Sequence, residues 1–238
     1  MSESSPLSAN PWDVHKARAT YNVDRWGAGY FDINAEGEVV AKPLQNGVAV
    51  SIVDVMEESM ARGLKFPLLI RFQDILRAQV RRINEAFRSA IAESNYGNEY
   101  RGIYPIKVNQ LHEVVDELLD AGRPYGMGLE CGSKAELIAC LPQIDGDTLL
   151  VCNGVKDRTM LSLMISGQKI GQNIIPVMEK YSEFTELKGL AFSTGYMSQL
   201  GVRVHEFGGD AVDLRGRGLG KAQRGIVAPV VEDAVEHE

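Results

Sequence analysis

A lysine stands at the end of a short apolar run, and its position is the feature of this sequence that most directly indicates chemistry. The run extends from Gly102 to Ile106, Lys107 follows it, and an amphipathic helical pattern starts after Asn109. Burial of an ammonium at the end of a parallel strand costs free energy, so such a lysine loses its proton and becomes a nucleophile. Lys107 is therefore a candidate for condensation with an aldehyde. The alternative is a lysine whose stem packs while its ammonium reaches water, and spacing alone favours that alternative.

Three more polar side chains end predicted strands, namely Glu130, Asn153 and Glu179. The carboxyl ends of parallel strands are where α/β folds collect their reacting groups. Ser133 opens the helix after Glu130, and its spacing from Glu136 predicts a helix N-cap with a capping box. The same turn could instead bind an anion at the helix N-terminus, which is a further hypothesis for Ser133.

Strands and helices alternate along the chain from residue 102 onwards, and this alternation must position those side chains. Strict alternation with short apolar strands predicts a parallel sheet with helical crossovers, either an open sheet or a barrel. A further strand is predicted upstream over residues 66–72, before a long amphipathic helix over 73–94. About six strands result, whereas such a barrel needs eight, so a complete barrel does not fit within this chain. The strands from residue 102 onwards are predicted over 102–107, 125–130, 148–153, 173–179 and 200–204.

Composition narrows the class of protein. The chain has 238 residues and a formal net charge of −7, which argues against nucleic acid as the main partner and fits a cationic substrate weakly. No apolar run approaches membrane-spanning length and no secretory signal opens the sequence, so the cytoplasm is the expected compartment. Cys131, Cys140 and Cys152 lie in apolar contexts without paired metal spacing and are predicted to be buried thiols.

The residues around Lys107 resemble a known family. The segment YPIKVNQ at 104–110 is similar to the cofactor-lysine motif of biosynthetic arginine decarboxylases, which are pyridoxal-phosphate enzymes with an alanine-racemase-like barrel. The similarity covers about residues 18–204, in family order and at family spacing. Its other motifs are GLECGSKAEL at 128–137, VCNGVKDR at 151–158, GVRV at 201–204 and TYNVDRWGAGYFDINAEGEV at 20–39.

The resemblance implies a fold and a domain organisation for an N-terminal portion of such an enzyme. The fold would be α/β, an incomplete (β/α)8 TIM barrel of the alanine-racemase type, preceded by a β-hairpin and helices of a second, β-rich domain. Residues 1–17 are expected to be disordered and residues 18–62 to form the hairpin and helix segment of the β-rich domain. Residues 63–204 would form the partial barrel, and residues 205–238 a divergent tail.

The resemblance also implies a reaction, the decarboxylation of L-arginine to agmatine and carbon dioxide in polyamine biosynthesis. Lys107 and Glu130 would be the catalytic residues, and Lys107, Glu130 and Ser133 would contact pyridoxal 5'-phosphate. The family resemblance also allows Mg²⁺, although no ligands for it can be identified in the sequence. The partners would be a small cationic amino acid and, for the full-length protein, further copies of itself, with no nucleic acid and no membrane.

The resemblance ends after Val204. The family continues with a glycine- and serine-rich segment and a glycine-rich phosphate loop, whereas residues 205–238 carry scattered glycines and an acidic end. We interpret this tail as a frame-shifted or otherwise aberrant terminus, which resequencing of the encoding DNA would test. A barrel missing strands exposes unpaired edges, so the isolated chain is expected to be poorly stable, to bind cofactor weakly and to have little activity.

Three other functions remain open at this point. One is a related decarboxylase of ornithine, diaminopimelate or carboxynorspermidine, and another is a non-catalytic pyridoxal-phosphate protein. The third is an α/β domain without a cofactor. Borohydride reduction followed by mass mapping of Lys107 separates this third alternative from all cofactor-dependent ones.

Overall fold

The computed structural model describes residues 12–204 and 224–228. The chain divides into two compact units, residues 1–79 and 80–238, which are described separately. Most of the tail over 205–238 lies outside the described residues, as do the first eleven residues of the segment expected to be disordered. The interpretation of the tail therefore stays a prediction. The domain boundary at 62/63 also stays a prediction.

The first unit contains a small antiparallel sheet in the order β1-β2-β3. Residues 34–38 connect β1 to β2, and the backbone N–H of Asn34 donates to the carbonyl of Glu38 across this turn. Ser51 caps α3, because its hydroxyl oxygen accepts the N–H groups of Val53 and Asp54. The elements are α1 (Val14–Thr20), α2 (Val23–Trp26), β1 (Phe31–Ile33), β2 (Val39–Ala41), β3 (Val50–Ser51), α3 (Ile52–Ala61) and α4 (Gln73–Glu93), the last of which continues into the second unit.

The strand predicted over 66–72 is wrong, because these residues lie in neither a helix nor a strand. Leu69 keeps 74% of its surface exposed and Phe66 keeps 61%, so the apolar run is not buried against a partner strand. Pro67 also removes a backbone donor that a paired strand would use. A short apolar run alone therefore did not identify a strand here.

The second unit is built on a sheet in the order β4-β5-β6-β7-β8-β9. Strands β4 to β8 pair in parallel, with α5 to α8 as the crossovers, which confirms the predicted parallel sheet with helices. Strand β9 pairs antiparallel with β8. The elements are β4 (Ile103–Pro105), α5 (His112–Gly122), β5 (Gly128–Cys131), α6 (Lys134–Cys140), β6 (Leu150–Cys152), α7 (Arg158–Lys169), β7 (Ile174–Met178), α8 (Tyr181–Thr194), β8 (Leu200–Val204) and β9 (Arg224–Ala228).

The core of this unit lies between the sheet and its helices. Alternate strand residues such as Leu129, Leu150 and Ile174 point to this side and are buried against helical residues such as Leu161 and Met164. Because successive strand side chains point to opposite faces, the residues between them face the other side of the sheet. That second face carries the candidate site.

The three cysteines are free and buried, as the sequence predicted. Cys131 and Cys152 are register partners on β5 and β6, and their sulfur atoms lie 3.5 Å apart. A hydrogen bond with Cys131 and burial both raise the pKa of the Cys140 thiol. The Cys140 thiol therefore stays protonated, and all three buried cysteine side chains pack as small apolar groups.

Over residues 12–204 and 224–228, no helix is both long enough and apolar enough to cross a membrane. In the same part of the chain, no group of three or more histidine, cysteine, aspartate or glutamate side chains is placed to hold a metal ion.

Candidate active site

A cavity of about 1010 Å³ lies in the second unit at the carboxyl ends of β4 to β8. Its apolar floor includes Val151 and Val177, which occupy the face of the sheet turned away from the helices. The rim is charged, because side chains at the strand ends and in the following turns project into the cavity. These charged residues are Lys107, Glu130, Glu136, Glu179 and Arg203.

Lys107 lies in a 3₁₀ turn over Ile106–Val108 that directly follows β4. The side chain was predicted to end the strand and to be sheltered, but β4 stops at Pro105 and Lys107 is exposed. The prediction of a sheltered amine is therefore wrong for this chain, although Lys107 does line the cavity.

The local structure explains this exposure. Ile106 is fully buried and anchors the turn, and in a 3₁₀ turn the next side chain points about 120° away. Strand β4 is also the edge strand of the described sheet, so no neighbouring strand of the described residues shelters that side. Lys107 consequently stands at the mouth of the cavity with its amine accessible.

Glu130 lies on β5, in register with Pro105, two residues before Lys107. Its carboxylate is half-buried, and the side-chain amide of Asn153 on the adjacent strand donates a hydrogen bond of 3.1 Å to its Oε1 atom. All four strand-end residues that the sequence identified, Lys107, Glu130, Asn153 and Glu179, thus line this cavity.

Ser133 is the N-cap of α6, as the sequence predicted, because its hydroxyl oxygen accepts the N–H of Glu136 at 3.3 Å. The Glu136 carboxylate turns back and accepts the N–H of Gly132 at 2.7 Å. The turn amide that the anion-binding hypothesis required is therefore already occupied by a carboxylate. Ser133 nevertheless lines the cavity, where its hydroxyl hydrogen can be donated.

Glu179 follows β7 and forms an ion pair of 3.0 Å with Arg203 on β8. Its Oε1 atom also accepts the N–H of Gly154 at 2.9 Å. Sequence reasoning did not single out Arg203 as a site residue. The available signal was its spacing of two from Gly201 in a strand, which places both residues on the cavity face.

Gly154 is required by the geometry of its turn. Its φ of +70° is strained for other residues, and a Cβ atom there would lie 2.1 Å from the carbonyl oxygen of Gly132. The turns that follow β5 and β6 therefore pack backbone against backbone beside the cavity. Asp157 then caps α7 by accepting the N–H of Met160 at 2.8 Å.

A buried ion pair lies next to this cavity. The Lys156 side chain is fully buried, and its Nζ atom lies 3.7 Å from Oε2 of Glu183 on α8. Desolvation lowers the pKa of Lys156, although the nearby Glu183 carboxylate opposes this effect. Burial works to raise the pKa of Glu183, but the N–H groups of Glu179 and Lys156 together with the charge of Lys156 lower it, and the net effect is a lowered pKa. Sequence reasoning did not identify this pair.

Comparisons with known proteins identify relatives of the chain, although no family model matches it. It is 37% identical over 201 residues to a biosynthetic arginine decarboxylase from Rhodopirellula baltica, covering 84% of this chain and 30% of the relative. It is 40% identical over 215 residues to the enzyme of that name from Xanthomonas axonopodis pv. citri, covering 90% and 34%.

A solved structure agrees with these relatives. The crystal structure of the biosynthetic arginine decarboxylase from Campylobacter jejuni matches with a TM-score of 0.70 at 29% identity, over 76% of this chain and 30% of that chain. This chain spans only 30% to 34% of the length of the relatives named here. The resemblance predicted from the motifs around Lys107 is thus confirmed, and the chain is similar, over most of its length, to about one third of a biosynthetic arginine decarboxylase.

Proposed function

We propose that this chain forms the lysine-bearing part of a pyridoxal-phosphate-dependent arginine decarboxylase, which converts L-arginine to agmatine and carbon dioxide in polyamine biosynthesis. The observation that carries the proposal is the placement of the Lys107 amine at the mouth of a cavity beside Glu130. The similarity to curated arginine decarboxylases over most of the chain supports the choice of reaction. The cytoplasmic compartment expected from the sequence and the homo-oligomer expected of the full-length enzyme stay predictions.

The parallel sheet supports the proposed incomplete barrel. Alternate residues of β4 to β8 line one concave cavity, whereas the residues between them pack against the helices. A barrel interior is lined in this way, and its reacting groups lie at the carboxyl ends of the strands. The hairpin of the first unit is proposed to belong to the second, β-rich domain.

The donor set of the cavity fits the reactive part of pyridoxal phosphate, an aldehyde on a protonated pyridine ring. When bound, this cofactor supplies an electron sink that stabilises the carbanion left by the loss of carbon dioxide. Lys107 offers an accessible amine that can hold the aldehyde covalently. Glu130, fixed by its hydrogen bond with Asn153, offers a carboxylate that can hold or move a proton next to that amine.

The phosphate group has fewer partners among the described residues. The N–H groups of Gly132 and Gly154 are already bound to the carboxylates of Glu136 and Glu179. We propose the Ser133 hydroxyl as the contact of this chain with the phosphate or ring. One neutral hydroxyl holds a phosphate less strongly than a set of backbone amides, which supports weak cofactor binding by the chain alone.

The charge of the cavity supports a cationic substrate. Its lining carries three carboxylates, from Glu130, Glu136 and Glu179, against two cations, Lys107 and Arg203, so its formal charge is 2 − 3 = −1. The Glu179 carboxylate is paired with Arg203. A cationic amino acid therefore enters a cavity of complementary charge.

Covalent trapping followed by product analysis tests the proposal. Purified chain is incubated with pyridoxal phosphate, reduced with borohydride and mapped by mass spectrometry, with Lys107→Ala and the surface variant Lys134→Ala treated in parallel. We expect the pyridoxyl group on Lys107 in the unaltered chain and in Lys134→Ala, and its loss from that peptide in Lys107→Ala. Labelling spread over several lysines without preference for Lys107 contradicts the cofactor site.

The substrate is tested with the same preparation. Release of carbon dioxide is followed from L-arginine, ornithine, diaminopimelate and carboxynorspermidine, with agmatine as the product from arginine. We expect weak turnover that favours arginine and is absent in Lys107→Ala. Preference for another substrate supports a related decarboxylase, and a Lys107 label without any carbon dioxide release supports a non-catalytic pyridoxal-phosphate protein.

A further inference from the structure

We propose that Lys156 and Glu183 are positioning residues, which fix the carboxyl ends of β6 and β7 and thereby hold Asn153 and Glu179 in the cavity. The inference rests on the proposed function, because that function gives the cavity its role. Neither residue lines the cavity itself, so they act on it through the backbone.

The Lys156 ammonium binds two backbone carbonyls at the strand ends. Its Nζ atom donates to the carbonyl oxygen of Gly154 at 2.6 Å and to that of Val177. Gly154 belongs to the turn after β6, and Val177 lies on β7. Because the side chain is fully buried, water does not compete for these hydrogen bonds, and the ammonium joins the two strand ends directly.

The Glu183 carboxylate completes this arrangement from the first turn of α8. Its Oε1 atom accepts the N–H of Lys156 at 2.9 Å, and its Oε2 atom accepts the N–H of Glu179 at 2.9 Å. Each carboxylate oxygen thus holds one backbone amide, and the two amides belong to the turns after β6 and β7. The carboxylate of Glu183 and the ammonium of Lys156 therefore restrain the carboxyl ends of the same two strands, β6 and β7.

These turns carry cavity side chains. The Glu179 carboxylate pairs with Arg203 and also accepts the N–H of Gly154. This hydrogen bond closes a ring of contacts that runs from Gly154 through Lys156 and Glu183 back to Glu179. Asn153 is adjacent to Gly154 in sequence and contacts Glu130. A shift of either turn would therefore move the side chains that we assign to the cofactor site.

The hydrogen bonds of the Lys156–Glu183 pair support a role in positioning the backbone beyond a contribution to the stability of the fold. A buried ion pair often stabilises a fold no better than apolar residues of equal volume, so a contribution to stability alone does not account for this pair. Here the pair makes charge-assisted hydrogen bonds to four backbone groups, and all four groups lie at the ends of β6 and β7. Charge-assisted hydrogen bonds are shorter and stronger than neutral ones, so they hold these backbone groups in place.

Amide hydrogen exchange tests the inference independently of cofactor and activity. The variant Glu183→Gln keeps the side-chain volume and one acceptor, whereas Lys156→Met/Glu183→Gln removes both charges and leaves no unpaired buried ion. Arg158→Met and Glu186→Gln are the controls. Arg158 and Glu186 form an exposed ion pair that joins the start of α7 to α8, but within the described residues their side chains make no hydrogen bond to the strand ends. All variants are compared at a temperature where circular dichroism reports them as fully folded.

We expect exchange at the amides of Lys156 and Glu179 to accelerate about tenfold or more in both Glu183 variants, since a hydrogen bond to a charged acceptor is lost. The amide of Leu129, which donates to the carbonyl of Leu149 just before β6, should exchange at an unchanged rate. The control variants Arg158→Met and Glu186→Gln should leave the exchange rates of all three amides unchanged. Equal acceleration at Leu129, or no acceleration at the two amides, overturns the positioning role.

Borohydride trapping of pyridoxal phosphate on Lys107 then connects the pair to the site. We expect the trapped fraction at a fixed cofactor concentration to fall several-fold in Lys156→Met/Glu183→Gln and to stay unchanged in Arg158→Met. Unchanged trapping in the double variant overturns the inference. If the unaltered chain does not trap the cofactor on Lys107, the proposed function fails, and the exchange measurement still decides whether the pair fixes the two turns.

Discussion

The side-chain amide of Asn153 donates a 3.1 Å hydrogen bond to the carboxylate of Glu130, and this bond joins the carboxyl ends of β5 and β6 at the cavity. Glu130 stands in register with Pro105, so the same carboxylate lies one strand away from the turn that carries Lys107. The ends of three successive strands, β4 to β6, therefore supply the amine of Lys107, the carboxylate of Glu130 and the Asn153 side chain that orients this carboxylate.

Removal of this bond should affect the site more than the fold. We expect Asn153→Ala to lower the free energy of unfolding by about 0.5–1.5 kcal/mol, the usual contribution of one hydrogen bond, and to lower the fraction of pyridoxal phosphate trapped on Lys107. Urea denaturation and borohydride trapping measure the two effects. Asn98→Ala, in an exposed loop, is the matched control and should change neither. Unaltered trapping in Asn153→Ala would show that the orientation of Glu130 does not affect the reaction of Lys107 with pyridoxal phosphate.

Gly154 provides a test of the backbone contact beside the cavity. We expect Gly154→Ala to destabilise the chain by at least about 2 kcal/mol, because a positive φ and a Cβ atom 2.1 Å from the Gly132 carbonyl oxygen act together. Gly171→Ala is the control, since Gly171 has a φ of +92° but open space around its Cβ position, and it should cost only about 1–2 kcal/mol. Urea denaturation compares the two, and equal losses would argue against the close approach of the turns.

The sequence predicted much of this site. The physical reason why a prediction was right or wrong differs from residue to residue. Strand-helix alternation predicted that Lys107, Glu130, Asn153 and Glu179 would meet, because the carboxyl ends of parallel strands lie at one edge. Lys107 is exposed because β4 is the edge strand of the described sheet, which is a property of strand order and not of local sequence.

The buried ion pair could not be predicted in the same way. Lys156 lies in the turn after β6 and Glu183 in the first turn of α8, so their contact depends on how a crossover helix docks. Charged residues at those positions normally indicate solvated helix ends, and no periodicity in the sequence distinguishes a buried pair from an exposed one.

The pH dependence of stability should report on Glu183. Its pKa is lowered in the folded chain, so its contribution is fully present above the unfolded value of 4.5 and is lost as the pH falls through the lower folded value. We expect the free energy of unfolding to fall on acidification below pH 4.5 with a contribution of up to about 1.4 kcal/mol per pH unit from this group. Urea denaturation between pH 6 and pH 2.5 measures the slope.

Glu183→Gln is the comparison for that slope, because it removes the titrating group and keeps the side-chain volume. The variant should be less stable at pH 6 and should lose less stability on acidification. Asp145, whose pKa is lowered to about 2 mainly by its hydrogen bond with Thr148, titrates in the same direction and should contribute equally in both proteins. Parallel curves for the two proteins would contradict the assignment to Glu183.

Amine labelling should separate the two lysines that border this region. Lys107 is exposed at the cavity mouth, whereas the Lys156 side chain is fully buried and donates to two carbonyls. We expect brief reductive methylation of the folded chain to modify Lys107 and to leave Lys156 unmodified, with both labelled in urea. Mass spectrometry of the peptides that contain Lys107 and Lys156 quantifies the labelling. Pyridoxal phosphate added beforehand should protect Lys107 from methylation without changing the labelling of Lys134. Labelling of Lys156 in the folded chain would mean that the turn after β6 opens readily, and it would remove the structural basis for a fixed cavity wall.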